Sequence, residues 1–486
     1  MALADKQRIT VKKTKIIATM GPSSSSIDVL RRLIAAGCNV ARINMSHSSH
    51  EEAVEIIKKI RSLSDKIGIL IDTRGPEIRT TMVESVVHLT AGDIVVMQGG
   101  EENTAKTHIF INFDGLPNVV DVNTAVLIAD GQIELRVVSI EGSELHCRVI
   151  KGGQLGSKKG VNIPGIRLPI PFLTPQDKKD IAFAVEQKAD FIAASFVNDV
   201  QDMKDIRAEV GKHGGDIAVI SKIESQYALD NLDEIIEKSD AVMIARGDLG
   251  VEISLEEVPV VQKKIIEKSR IAGKNVIVAT EMLESMIHNP RPTRAETSDV
   301  ANAIFEGTDA LMLSGETSVG DYPVEVVQTM SRIARIAEAE STRFAKDIKP
   351  GNKVTEIICK GAWLATRDLS IQGILVPTSS GRTALRMSRY RPYAPILATT
   401  PNMKIARRLS LCYGVYALPS RHDGRMEVMV RRSCKLMVES GLLELDDLTV
   451  VVCGVPVGHR GTTNLLTIQR VGDLLGKDTE SNVAKD

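Results

Sequence analysis

The segment SKIES (221–225) ends an apolar run with a lysine and a carboxylate. Lys222 and Glu224 are two residues apart, so their side chains point to the same side if the run forms a β-strand. A single Lys-x-Glu pair is most often an ion pair at a strand end. A catalytic or metal-binding role requires that other strands deliver further charged groups to the same place.

Other apolar runs also end in polar or charged residues. Asp72 and Thr73 close one run, and Arg246, Gly247 and Asp248 close another. Further candidates at such ends are Arg42, Asn44, Ser46, Thr280, Ser314 and Glu316. Because unpaired charge in the mouth of a barrel is costly, a whole ring of these groups indicates a ligand site more strongly than any single pair does.

The residue types in this ring suit cations and a phosphate group. Glu224 and Asp248 offer hard oxygen ligands with no histidine among them, which favours Mg²⁺ or Mn²⁺ over zinc. A second oxygen-rich group, which could hold another cation, consists of Asn44, Ser46, Asp72 and Thr73. Positive charge comes from Arg42, Lys222 and Arg246. A metal ion flanked by arginine and lysine is what phosphoryl transfer needs for positioning and charge neutralisation.

Eight short apolar runs position these residues. They begin near residues 15, 39, 67, 190, 217, 241, 275 and 310, and helical periodicity follows most of them. Nearly continuous apolar strands indicate a parallel sheet buried on both faces, and eight strand–helix units predict a closed (β/α)8 barrel. In such barrels the chemistry lies at the carboxyl ends of the strands, which is where the candidate residues lie.

Changes in pattern predict two further domains. Residues 76–189 are too many for a loop, and their short alternating strands with glycine turns predict an inserted all-β domain. After residue 345, helices and apolar strands alternate again. The predicted fold class is α/β, a (β/α)8 TIM barrel with an inserted small all-β lid domain and a C-terminal open α/β domain. The predicted boundaries are 1–76 and 171–345 for the barrel, 77–170 for the insert and 346–486 for the C-terminal domain.

The composition of the 486-residue chain argues against several classes of protein. Its 61 basic and 62 acidic residues nearly cancel, which gives no electrostatic reason to expect nucleic acid or an anionic membrane as a partner. No apolar run reaches the length of roughly 18 residues needed to span a membrane. The six cysteines are isolated, so we expect a reducing compartment, the cytoplasm.

Several longer motifs resemble one known family. KTKIIATMGPSS, NVARINMSH, IDTRGPEIRT, GSKKGVNIPG, SKIES and ARGDLGVEI follow the motifs of pyruvate kinases in order, and the segment 282–317 is highly specific for them. The resemblance implies transfer of the phosphoryl group of phosphoenolpyruvate to ADP, which gives pyruvate and ATP in the last step of glycolysis. It also implies dependence on Mg²⁺ (or Mn²⁺) and K⁺, a homotetramer, and an inserted domain that closes over the site.

The resemblance further implies a role for each matching residue. Lys222 stabilises charge during transfer, Glu224 and Asp248 ligate the divalent metal, and Arg42 contacts the phosphoryl group. The K⁺ ligands are Asn44, Ser46, Asp72 and Thr73. The substrate carboxylate is seated by Ala245, Arg246 and Gly247. The nucleotide residues are Asn44, His47, Arg79 and Lys159, and the residues where the enolate is protonated are Thr280, Ser314 and Glu316.

A second phosphate site is predicted in the C-terminal domain. The stretch TSSGRT joins an apolar strand to a helix, and free N–H groups at a helix start bind anions. An ordinary N-cap rich in hydroxyl residues is the alternative, but in the family the matching loop binds a phosphorylated effector, a sugar phosphate or AMP. The effector residues are Thr378, Ser379, Ser380, Gly381, Arg382, Thr383, Arg460 and Gly461.

Two other classes of function remain open from the residues. A metal-dependent barrel aldolase or lyase would use similar carboxylates, although it would not need the insert with GSKKGVN. A non-catalytic metabolite sensor would use only the C-terminal loop, and it would be expected to have lost the lysine or the metal carboxylates, which are all present.

Overall fold

The computed structural model describes residues 11–341, 348–457 and 463–476. The first elements alternate between strand and helix, as the apolar runs predict. They are β1 (Lys15–Thr19), α1 (Ile27–Ala36), β2 (Val40–Asn44), α2 (His50–Leu63) and β3 (Gly68–Asp72). The three strands are buried almost throughout, which is the environment of parallel barrel strands covered on both faces.

The helix ends follow capping signals in the sequence. The Ser26 hydroxyl accepts a hydrogen bond from the Val29 amide at the start of α1. Gly37 ends that helix at φ +114°, where a side chain would be strained. Ser49 caps α2 in a reciprocal capping box with Glu52. These caps fix where α1 begins and ends and where α2 begins.

The segment after β3 forms its own β-structure. Its strands are β4 (Val87–Leu89), β5 (Ile94–Gly99), β6 (His108–Ile111), β7 (Ala125–Ile128), β8 (Ile133–Glu141), β9 (Glu144–Lys151), β10 (Gly153–Leu155) and β11 (Val161–Asn162). Six of them form one sheet in the order β11-β7-β8-β9-β5-β6, and β10 pairs with β4. A separate apolar core, which includes Met97, Val126 and Leu135, holds this sheet together.

The chain then returns to strand–helix alternation. The elements are α3 (Pro175–Glu186), β12 (Phe191–Ala194), α4 (Val200–Lys212), β13 (Ala218–Ile223), α5 (Gln226–Asp230), α6 (Leu232–Lys238), β14 (Ala241–Ala245), α7 (Arg246–Glu252), α8 (Val258–Ala272), β15 (Asn275–Ala279), α9 (Arg294–Glu306), β16 (Ala310–Leu313), α10 (Gly315–Ser318) and α11 (Pro323–Ser341). Eight strands close a barrel in the order β1-β16-β15-β14-β13-β12-β3-β2. The predicted eight-stranded barrel is therefore confirmed.

The last part of the chain is an open α/β sheet. Its elements are α12 (Val354–Asp368), β17 (Ile371–Pro377), α13 (Arg382–Ser388), β18 (Ile396–Thr400), α14 (Met403–Arg408), β19 (Val415–Pro419), α15 (Met426–Glu439), β20 (Leu448–Cys453), β21 (Leu465–Arg470) and α16 (Val471–Leu475). The strand order is β19-β18-β17-β20-β21, with only β21 antiparallel to its neighbour. Ile374 and Leu375 enter different apolar clusters, so both faces of the sheet are covered. This confirms the α/β class predicted for the C-terminal part.

Contacts between residues divide the chain into two compact units. The first comprises the described parts of 1–71, 186–192 and 266–486, and the second comprises 72–185 and 193–265. The three domain boundaries given above remain predictions. Among the helices in the described ranges, none combines the length and apolar character needed to cross a bilayer.

Candidate active site

Lys222 and Glu224 lie at the carboxyl end of β13 in the second compact unit. Lys222 Nζ is 2.8 Å from Glu224 Oε1 and 3.5 Å from Asp72 Oδ1. Both carboxylate side chains are 1% exposed, whereas the lysine side chain is 12% exposed. The structure thus brings three predicted site residues together in a place where their charges are weakly screened by water.

The Glu224 carboxylate has one oxygen fixed by the backbone and one left for another ligand. Its Oε2 accepts a hydrogen bond of 2.7 Å from the Phe196 amide. Its Oε1 is buried and has no hydrogen bond of proper geometry, even though Lys222 Nζ is close by. Burial raises the pKa of Glu224, Lys222 opposes the shift, and the negative charge of Asp248 raises the pKa further. A bound cation would offset the cost of burying the Glu224 charge and the repulsion between Glu224 and Asp248. The carboxylate oxygens therefore fit a metal site.

Asp248 lies on the first turn of α7, directly after β14. Ala245 is the N-cap residue of this helix, and Arg246 and Gly247 are its first two residues. The two carboxylates, Glu224 and Asp248, come from neighbouring strand ends, since β13 pairs with β14 in parallel. Within the described ranges, no group of three or more His, Cys, Asp and Glu side chains is arranged to hold a metal. A metal held by these two carboxylates would therefore need substrate or water for its remaining ligands.

Thr73 follows Asp72 at the end of β3 and is bound to the end of β12. Its amide and its hydroxyl both donate to Ala193 O, at 3.0 and 3.2 Å. Its carbonyl accepts a 2.7 Å hydrogen bond from Ser195 Oγ, which itself accepts one of 2.7 Å from Lys222 Nζ. Ser195 is absent from the residues predicted above. It could have been found from sequence, because it closes the fourth apolar run in the same way as the other candidates close theirs.

Arg79 and Lys159, the predicted nucleotide residues, lie on two adjacent antiparallel segments. The Thr80 amide donates to Lys159 O at 2.8 Å, and Arg79 forms an isolated bridge with Gly160. The Arg79 guanidinium donates to Glu77 Oε2 at 2.6 Å and to Lys158 O at 2.9 Å. The Lys159 side chain is exposed and the Arg79 residue is half-buried. The bridge thus joins the backbone of the two predicted nucleotide residues within the inserted segment.

Arg42, Asn44, Ser46 and His47 lie in the first compact unit, on β2 and the turn after it. Arg42 is 8% exposed, and its Nη1 donates to Thr19 Oγ1 at 3.0 Å. The Asn44 side-chain oxygen accepts from the Ser46 amide at 3.1 Å, and the Asn44 carbonyl accepts from the His47 amide. The turn thus holds the amide group of Asn44 in a fixed orientation, while His47 is exposed.

Thr280, Ser314 and Glu316 also lie in the first compact unit. Thr280 has φ +67°, an uncommon and strained conformation for a β-branched residue, and its hydroxyl donates to Ala279 O at 2.6 Å. Glu316 is buried and accepts from the Ser314 amide at 2.7 Å and from the Leu283 amide at 3.2 Å. Burial raises the pKa of Glu316, and the Ser314 hydroxyl is buried without a hydrogen-bond partner. The three residues provide hydroxyl and carboxyl groups suited to moving a proton.

The predicted effector loop joins β17 to α13. Gly381 is the N-cap residue of α13, and its amide donates to Thr378 Oγ1 at 3.0 Å. The Thr383 hydroxyl is 2.7 Å from the Thr463 hydroxyl, and Arg382 is exposed. Ser379 and Ser380 lie in the loop between the strand and the helix. The other two predicted effector residues, Arg460 and Gly461, lie outside the described residues.

Comparisons with known proteins agree with the fold described above. The family described as "Pyruvate kinase, barrel domain" matches residues 11–327, and "Pyruvate kinase, alpha/beta domain" matches residues 356–469. Pyruvate kinase from Bacillus licheniformis is 45% identical over 480 residues, covering 96% of this chain and 82% of the relative. Pyruvate kinase from Geobacillus stearothermophilus is 44% identical over 480 residues, covering 96% of this chain and 81% of the relative. Because both family models match and the relatives are this similar over most of the chain, the chain belongs to the pyruvate kinase family.

Proposed function

We propose that the chain transfers the phosphoryl group of phosphoenolpyruvate to ADP through the residues at its strand ends. The activity itself, a pyruvate kinase-type phosphotransferase reaction (EC 2.7.1.40), follows from family membership and confirms the function expected from the sequence motifs. The observation that carries the residue assignment is the buried contact of Lys222 with Glu224 and Asp72. A coupled assay that follows pyruvate formation from phosphoenolpyruvate and ADP tests the function, and absence of turnover with Mg²⁺ and K⁺ would contradict it.

Lys222 is assigned to the charge that moves during the reaction. Its ammonium group donates a hydrogen bond to the neutral hydroxyl of Ser195 and faces two buried carboxylates. A protonated lysine at this position stabilises negative charge on the transferring phosphoryl group and on the enolate oxygen. Arg42 is assigned to the phosphoryl group, and Ala245, Arg246 and Gly247 to the substrate carboxylate.

Pyruvate kinases generally require a divalent metal and potassium. For this chain we assign Glu224 and Asp248 to Mg²⁺ or Mn²⁺, because the buried Oε1 of Glu224 lacks a hydrogen bond. When bound, the divalent ion would supply positive charge that neutralises the transferring phosphoryl group. We assign the K⁺ to Asn44, Ser46, Asp72 and Thr73, an assignment supported by the family motifs and by the oxygen chemistry of these side chains.

Replacing Thr280 by alanine is expected to lower both turnover and the exchange of enolate protons with solvent by about 10²- to 10⁴-fold. The reason is that its hydroxyl is assigned to the proton path, together with Ser314 and Glu316, and proton transfer typically contributes factors of this size. Steady-state kinetics and isotope exchange into pyruvate measure the two rates. Thr297→Ala, on α9, is the control, and a Thr280→Ala enzyme with unchanged exchange would remove the residue from the proton path.

Replacing Arg382 by alanine is expected to abolish activation by a phosphorylated effector while leaving the basal rate unchanged. Arg382 is exposed at the first position of α13, where its charge and the hydroxyls of the TSSGRT loop would bind phosphate. Activation is measured with a hexose bisphosphate, a sugar monophosphate and AMP in turn. Arg431→Ala, on the exposed side of α15, should respond as the unmodified enzyme does; a normal response of Arg382→Ala would contradict the effector site.

The partners implied by the family are phosphoenolpyruvate, ADP, ATP and pyruvate. We further propose a homotetramer and a cytoplasmic enzyme. The cytoplasmic proposal rests on the six cysteines, which are all buried and unbridged, as expected in a reducing compartment. Sedimentation of the purified enzyme would measure its oligomeric state.

The family matches cover both the barrel and the α/β domain. They favour a pyruvate kinase over the two alternatives, a barrel aldolase or lyase and a non-catalytic sensor.

A further inference from the structure

The turn after β12 contacts both members of the Lys222–Glu224 pair. Ser195 Oγ accepts a 2.7 Å hydrogen bond from Lys222 Nζ, and the amide of the next residue, Phe196, donates a 2.7 Å hydrogen bond to Glu224 Oε2. We infer that Ser195 is a positioning residue for phosphoryl transfer, which holds the Lys222 ammonium group in place. This inference rests on the proposed role of Lys222.

The direction of each hydrogen bond at Ser195 is fixed by chemistry. A carbonyl oxygen only accepts, so the single hydroxyl proton of Ser195 is donated to Thr73 O, at 2.7 Å. The hydroxyl can then offer only a lone pair to Lys222, which can only donate. Ser195 therefore binds the lysine as a neutral acceptor.

The position of Ser195 is locked by close packing and by backbone conformation. Ser195 is 2% exposed, and Phe196 has φ +56°, a strained value for a residue other than glycine. A Cβ atom built on Gly75, itself at φ +76°, would lie 2.9 Å from Ser195 Cβ and 2.7 Å from the Phe196 ring. The Gly75 amide is in turn held by Asp177 Oδ1 at 3.1 Å. The surrounding chain thus allows Ser195 little freedom to move.

A neutral acceptor is useful here because Lys222 also faces the negative charges of Glu224 and Asp72. Lys222 Nζ lies 2.8 Å from Glu224 Oε1, the same oxygen that we assign to the divalent metal. A lysine held only by carboxylates would be drawn toward them and would compete with the metal. Ser195 offers a third contact that carries no charge, and it keeps the ammonium group at a defined position between the ends of β12 and β13.

The test compares Ser195→Ala and Ser195→Cys with the matched control Ser221→Ala. Cysteine keeps the shape of serine with a larger atom in place of the hydroxyl oxygen and is a weak acceptor, so a purely space-filling role would leave Ser195→Cys more active than Ser195→Ala. We expect both Ser195 variants to lower kcat by about 10- to 100-fold, with the KM for phosphoenolpyruvate changed less than about threefold. Ser221 is buried next to Lys222 in sequence, but its hydroxyl contacts Ser239 and Met203, so Ser221→Ala should keep kcat within about threefold.

The outcomes separate this inference from the proposed function. If Lys222→Met is inactive while both Ser195 variants keep kcat within about threefold, the function stands and the positioning role is wrong. If Ser195→Cys retains normal kcat while Ser195→Ala does not, the serine acts through packing and the inference is also wrong. If Lys222→Met itself is fully active, the proposed role of Lys222 in phosphoryl transfer is wrong, and the positioning role of Ser195 is wrong with it. Thermal unfolding of each variant checks that a low kcat comes from folded enzyme.

Discussion

Lys222→Met is expected to lower kcat on the order of 10³-fold or more, while the KM for phosphoenolpyruvate changes less than about threefold. Methionine retains the length and most of the volume of the lysine but removes its charge and its three donors. The loss falls on kcat because the charge that Lys222 meets develops only while the phosphoryl group is in transit. Removing even one preorganised donor from such a site typically costs 10²- to 10³-fold.

The control for this variant is Lys179→Met, an exposed lysine on α3 in the same compact unit. It should keep kcat and KM within about twofold, because an isolated surface charge contributes little. Steady-state kinetics over a range of phosphoenolpyruvate and ADP concentrations provides both constants. A Lys222→Met enzyme that loses affinity but keeps its turnover would show that the lysine binds substrate in its ground state only.

Removing one member of the buried Asp309–Arg391 pair is expected to destabilise the first compact unit by about 3–5 kcal/mol. The two side chains are 4% and 5% exposed and lie 2.8 Å apart. Asp309 also accepts hydrogen bonds from the Val276 amide at 2.9 Å and from the Tyr413 amide at 3.3 Å. Arg391 donates to the carbonyls of Gly307 and Ser388. Asp309→Asn would therefore leave a buried guanidinium without its counter-charge.

Denaturant unfolding of Asp309→Asn, Arg391→Met and the double variant measures this effect. The double variant should be less destabilised than the sum of the two single variants, since it leaves no unpaired buried charge. The control is Asp368→Asn, which removes an exposed ion pair: the Asp368 side chain is 57% exposed and that of its partner Arg367 is 45% exposed. This variant should change the free energy of unfolding by less than about 1 kcal/mol. Strictly additive losses from the Asp309 and Arg391 variants would contradict the pairing argument.

The barrel could be predicted because its strands are apolar runs and helical patterns follow most of them. Ser26 and Ser49 mark helix starts in the sequence just as they do in the structure. The strand order of the inserted sheet could not be predicted in this way. There β5 and β6 pair in parallel although they are consecutive, because the pairing depends on the whole sheet rather than on the turn between them.

The site was only partly predictable, because alternation places side chains but not backbone turns. The spacing of Lys222 and Glu224 put both on one side of a strand, and the structure shows them there. Positive φ values at Thr280 and Phe196 carry no sequence signal, since both residues normally avoid that region. Ser195 closes the fourth apolar run, so the strand-end rule used for the other candidates would have included it, and its contact with Lys222 shows why it belongs with them. The buried partners Asp309 and Arg391 are far apart in sequence, so no local pattern joins them.

In the proposed mechanism Lys222 and Glu224 have separate roles: the carboxylate holds the divalent metal, and the lysine acts on the moving phosphoryl group. Titration of Mn²⁺ into the protein, followed by the spectroscopic signal of the free ion, tests these roles without relying on activity. Glu224→Gln is predicted to weaken Mn²⁺ binding by about 10- to 100-fold, whereas Lys222→Met should bind it at least as tightly as the unmodified enzyme. Unchanged Mn²⁺ affinity in Glu224→Gln, or a large loss in Lys222→Met, would contradict the division of roles.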